Sequence, residues 1–166
     1  MRRNRYSCGM VLAASALLAW AAPATARSDF GFDVTVTLSQ KAAATLASTG
    51  EEIVLFADYY GEPKRGAERH TNEIGQISLD RGDEQVEIPG TGGSAHISGA
   101  TLDAKRLDWI SGPMMVNVNV ASARKSNADN ILSCDFIDGA FVSVKKAPIT
   151  LHCALIEENY DTIMKP

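Results

Sequence analysis

Cys134 and Cys153 lie nineteen positions apart in NILSCDFIDGAFVSVKKAPITLHCALI, residues 130–156. Cysteine pairs serve metal ligation, redox exchange or structural cross-linking. A zinc site wants further thiolates or imidazoles at short spacing, and only His152 stands near. A redox pair would read Cys-x-x-Cys. A structural disulfide is the reading that remains, provided the chain folds in an oxidising compartment. The third cysteine, Cys8, sits before an apolar run near the N-terminus.

The acid–base candidates are Asp58, His70 and Glu73. His70 and Glu73 have i, i+3 spacing, but the surrounding GEPKRGAERHTNE is polar and carries Gly and Pro. No helix is expected there to bring them onto one face. His96 and His152 would have to approach through tertiary folding. These three residues would serve a small hydrolase or a metal-dependent enzyme; a solvated loop is the simpler reading. Met114 and Met115 are adjacent, so on a strand they face opposite ways, and packing explains at least one of them better than copper. G-x-S-x-G and S-x-x-K are missing, which leaves no nucleophile motif. No catalytic residue, cofactor or metal is assigned.

A second group suits recognition. Tyr59 and Tyr60 end an apolar stretch, Trp109 precedes a turn, and Arg124 and Lys125 follow a Val/Asn stretch. Tyrosine, tryptophan and arginine carry much of the energy of protein interfaces. Against this, neighbouring strand residues face opposite sides, so one tyrosine belongs in the core, and Trp109 is equally suited to plugging it. GTGGSA at 90–95 satisfies G-x-G-x-x-A, but strand-like HISG follows where a phosphate-binding helix is required. The RGD at 81–83 reads as turn chemistry joining two short strands.

The elements that must position these residues are mostly short strands. FDVTVTLS alternates strictly, as does the Val/Asn part of PMMVNVNVASA. EEIVLFADYY, IGQISLD, EQVEIPG, GSAHIS, ILSCDF and APITLHCALI have strand composition. Ser39 can cap a helix through QKAAATLAST, with Gly50 as its stop. TLDAKRLDWI reads as a helical turn. Residues 137–146 fit either a strand or a short helix. About seven or eight short strands with one Ala-rich helix point to an all-β fold, an antiparallel sandwich or small barrel. The succession resembles small exported sandwich proteins of Gram-negative bacteria, including transthyretin-like and secretion-accessory modules, in architecture and export alone.

The compartment is read from the first residues. Arg2, Arg3 and Arg5 precede the apolar run Met10–Ala22, and Ala24-Thr25-Ala26 supplies a small-x-small cleavage pattern. This is a secretory signal peptide over 1–26, removed near Ala26, with one domain over 27–166. The run is shorter than the roughly 20 residues needed to span a bilayer, so no transmembrane segment is expected in the mature chain. Cys8 leaves with the signal. The mature chain carries 13 basic against 20 acidic residues. That balance argues against nucleic acid as a partner. The expectation is an exported, disulfide-bonded, non-catalytic binding or accessory module in the periplasm or outside the cell. It would meet another envelope or secreted protein at loops or a strand edge.

Overall fold

The computed structural model describes residues 29–166; the expected signal peptide and Cys8 lie outside them. Strand β1 (Phe32–Leu38) buries Phe32, Val34 and Val36 and turns Asp33 and Thr37 outward, as its alternation dictates. Helix α1 (Gln40–Thr49) starts where the Ser39 hydroxyl accepts from Ala42 N–H. It ends at Gly50, whose φ of 68° is a left-handed conformation suited to glycine. The helix buries only Ala42 and Leu46, and it packs on the sheet that holds β1.

Strand β2 (Ile53–Pro63) is followed by the short strands β3 (Ile77–Ser78), β4 (Glu84–Ile88) and β5 (Gly93–Ile97). The expected helical turn is a 3-10 segment, Ala104–Trp109, leading into β6 (Ile110–Ser122). Then come β7 (Leu132–Cys134), β8 (Phe136–Ala140), α2 (Phe141–Val144), β9 (Ile149–Leu155) and β10 (Met164–Lys165). Residues 137–146 are therefore strand first and helix second. Helix α2 forms at the end of β8 by turning Phe141 and Val144 into the core.

Among the described residues, ten strands form two sheets. One has the order β5-β1-β9-β7; the other runs β10-β8-β6-β2-β3, with β4 also on β2. The fold is β-rich as expected, but the sheets are mixed. β1 and β9 run parallel, as do β8 and β10. Parallel pairing needs partners distant in sequence, which local alternation cannot reveal. The strands beyond the expected number are β8 and the two-residue β10.

The RGD segment also departs from expectation. β3 and β4 do not form a hairpin with each other; both pair with the same edge of β2, at Tyr60↔Ser78 and Ala57↔Glu84. Arg81-Gly82-Asp83 lies in an excursion that interrupts this edge. Asp80 is drawn inward there, accepting the Tyr59 N–H and the Thr101 hydroxyl.

The inner faces share one hydrophobic cluster. Val34, Leu151 and Cys153 come from the four-stranded sheet, and Leu55, Tyr59, Val118 and Ile137 from the six-stranded one. Phe141 stands 6.3 Å from Phe32 and 6.1 Å from Tyr59, ring centre to ring centre, so α2 joins both sheets. Burying each such Leu, Ile or Phe side chain contributes roughly 1.5–3 kcal/mol relative to exposure. Cys134 and Cys153 face each other directly across β7 and β9, with their sulfurs 2.04 Å apart in a disulfide. Among the described residues no helix is long and apolar enough to cross a membrane.

Candidate binding face

The outer face of the six-stranded sheet is built by alternation. Along β2, Leu55, Ala57 and Tyr59 point into the core, so Phe56, Asp58 and Tyr60 point out. Along β6, Val116, Val118 and Val120 are buried, leaving Met115, Asn117 and Asn119 outside. β8 contributes Phe136, Asp138 and Ala140. Register then lines these residues up across the strands. Asp58, Asn117 and Asp138 form one row, and Tyr60, Met115 and Ala140 the next. Phe56 stands opposite Asn119 on the other flank. Helix α1 lies on the other sheet and α2 is sunk in the core, so neither covers this face. Its aromatic and Met side chains are half-buried and Asn119 is exposed.

A cleft of about 380 Å³ opens on this face, between Asp58, Tyr60, Asn117 and Asp138 on one side and the loop carrying Asn72, Ile74 and Gln76 on the other. Asn72 shapes that loop. Its carboxamide oxygen accepts from Ile74 and Gln76 N–H, and its own N–H donates to the Gln76 carbonyl. The turn leaves Ile74 at the tip, 77 % exposed. Beside Tyr60, β2 carries a bulge. Gly61 sits in it because a Cβ would come within 2.8 Å of the Ile110 side chain.

The Tyr60 hydroxyl donates to Asp138 Oδ1 at 2.5 Å. Burial, then this bond and the Asp138 charge, push the phenol up to about 12, so it stays protonated at neutral pH. Burial also raises the Asp58 carboxyl, and the neighbouring Asp83 carboxylate adds to that shift. Asn119 donates to the Asn117 carboxamide oxygen at 2.5 Å. Asp58, Asp83 and Asp138 take part in none of the ion pairs among the described residues. Chemically the face offers hydrogen-bond acceptors with negative charge, flanked by rings and a thioether.

The residues singled out from sequence are dispersed. Tyr59 is wholly buried and donates to the Phe30 carbonyl at 2.8 Å, while Tyr60 is on the outer face. Trp109 packs on the core and stacks on His70, with ring centres 4.1 Å apart and planes 7° from parallel. Arg124 and Lys125 lie beyond the opposite end of β6. Ten residues of β2 separate the Ser122 and Ile110 pairings, about 33 Å at the rise of a strand. Arg124 has a φ of 58°. The Lys125 ammonium reaches Glu52 and, at 2.8 Å, Glu87.

Asp58, His70 and Glu73 are not gathered either. His70 is held by Trp109 and accepts from Arg69 Nε at 3.1 Å, Asp58 faces Asp83, and Glu73 is exposed. Among the described residues no three His, Cys, Asp or Glu side chains stand together as a metal set.

Sequence reasoning passed over Asn117, Asn119, Phe56, Phe136 and Asp138. The asparagines alternate with valines, which signalled an outer face. Asp138 was out of reach because residues 137–146 fitted both a strand and a helix. No protein family, characterised protein or solved structure matches this chain.

Proposed function

We propose that this chain is an exported, non-catalytic binding or accessory module that docks another envelope or secreted protein on the outer face of its six-stranded sheet. Export is supported by the charged, apolar and small-residue pattern of residues 1–26. A cysteine pair suits an oxidising compartment as well. The observation that carries the binding reading is the uncovered face itself. Phe56, Tyr60, Met115 and Phe136 are only partly buried around the Asp58–Asn117–Asp138 row. Rings and sulfur kept partly in water on an otherwise well-packed domain mark an interaction surface. Sequence pointed to loops or a strand edge. The rim formed by Asn72–Gln76 keeps the loop, and the sheet face replaces the edge.

Site-specific photo-crosslinking in intact cells tests this. A photoreactive residue at Asn119 should trap one discrete partner, whereas the same group at Ser94, exposed on β5 of the other sheet, should not. Equal trapping at both positions, or trapping at Ser94 alone, would move the interface elsewhere.

A further inference from the structure

Resting on that reading, we infer that the partner presents a basic extended segment to this face, with arginine or lysine side chains over the Asp58–Asn117–Asp138 row and apolar side chains against the rings beside it. Charge complementarity is the first ground. Among the described residues no acidic group of the row has a cation in an ion pair, and the lysines that do form ion pairs hold other carboxylates: Lys165 holds Asp135, Lys145 holds Asp29, and Lys125 holds Glu52 and Glu87. Asp58 and Asp83 form a like-charge pair with no counter-ion among the described residues. A guanidinium placed between them relieves that repulsion and presents donors in the geometry carboxylates accept.

Geometry decides what kind of cation fits. Asp58 and Asp138 lie on β2 and β8, with β6 between them. Two strand spacings put their backbones about 9.6 Å apart. Among the described residues no three carboxylates, imidazoles or thiolates stand together to hold a metal ion, whereas two long basic side chains, or one lying across Asn117, span the row.

The rings decide between a polypeptide and a simple amine. Phe56 and Phe136 border the charged row on one flank, and Tyr60, Met115 and the exposed Ile74 close the other. Lysine and arginine lay their apolar stems on such surfaces and their charges over ring faces. An extended chain delivers basic and apolar side chains at alternate positions; a polyamine would leave Ile74 and Met115 uncovered.

Calorimetric titration of the purified protein with three probes tests the inference: an octapeptide alternating arginine and valine, its glutamate–valine counterpart, and spermidine. The arginine peptide should bind and weaken as salt rises. The glutamate peptide should show no binding, and spermidine should bind roughly tenfold more weakly or worse. Asp58→Asn with Asp138→Asn should reduce arginine-peptide affinity by about tenfold or more. Should that pair unfold the protein, Asn119→Arg, at an exposed position, should produce a comparable loss by placing a cation beside the row. Absence of arginine-peptide binding, or binding indifferent to these substitutions, overturns the inference. Equal binding of spermidine overturns the choice of a polypeptide. If the arginine peptide fails while the Asn119 crosslinker still traps a partner, only the partner's chemistry falls; if both fail, the docking face falls with it.

Discussion

Glu51, Asp80, Glu84 and Asp135 are buried carboxylates, and each accepts a backbone N–H from a segment distant in sequence. Glu51 accepts from the N–H groups of Lys125, Ser126 and Asn127 and from the Ser126 hydroxyl. Burial opposes its charge, but the bonds from Lys125, Ser126 and Glu52 outweigh that and hold the carboxyl at about 2. A carboxyl depressed on folding stabilises the fold above its unfolded pKa and loses that contribution as pH falls toward the folded value. Glu51→Gln should therefore cost on the order of 2–3 kcal/mol at neutral pH. In urea denaturation, its deficit should shrink as pH falls from 4.5 toward 2. Asp80 has the opposite sign. Burial first, with Asp58 and Glu84 adding to it, pushes Asp80 up to about 6, against the bonds from Tyr59 and Thr101. Its favourable term is complete below the ordinary 3.8 and is lost as pH rises to about 6. Asp80→Asn should flatten the stability profile across that window and leave neutral-pH stability undiminished. In the sequence these four carboxylates look like any other acids, because most of their donors come from segments distant in the chain.

At the scale of elements, α1 and the disulfide were both legible. Ser39 and Gly50 bracket a helix by capping chemistry that acts within a few residues. What was not legible is that the Ser39 hydroxyl also donates to Glu158 at 2.6 Å, and that Glu158 accepts from the Leu155 N–H. Ser39→Ala should lower stability by about 1–2 kcal/mol, measured by chemical denaturation, and Glu158→Gln should account for part of it. The disulfide joins residues 19 apart in sequence. On the chain-entropy model, closing a loop of about 20 residues contributes roughly 3 kcal/mol. Cys134→Ser with Cys153→Ser should lower the denaturation midpoint accordingly while the circular dichroism spectrum keeps its β character. Two free thiols titrated in the native protein purified without reductant would refute the bond. β3 and β10 are two residues each; strands that short have no periodicity to detect and exist through their partners β2 and β8.

Across the whole molecule, one cluster of side chains from both sheets holds the fold together. Ile137, fully buried on β8, should cost about 2–5 kcal/mol when cut to Ala, read from the shift in denaturation midpoint. Asn119→Ser, on the outer face one strand away, should stay within about 0.5 kcal/mol of the parent. Export belongs to this scale too. Intact-mass measurement of exported protein should find a chain starting near Arg27 with no lipid attached; a mass that retains residues 1–26 would refute the signal-peptide reading.

Sequence alone was enough for the β-rich class, because period-two alternation in segments such as FDVTVTL is a local property of the chain. It was enough for α1, through its caps, and for reading Cys134 and Cys153 as a bonded pair. It could show that Asn117 and Asn119 share a face, but not what stands beside them. That Asp58 and Asp138 flank Asn117 follows from the pairing of β2, β6 and β8, elements up to 80 residues apart. Only the tertiary structure separates Tyr59 in the core from Tyr60 on the surface, and Lys125 at the far end from both. Strand register over long separations rests on the summed fit of a whole core, and that sum is not written in any one segment.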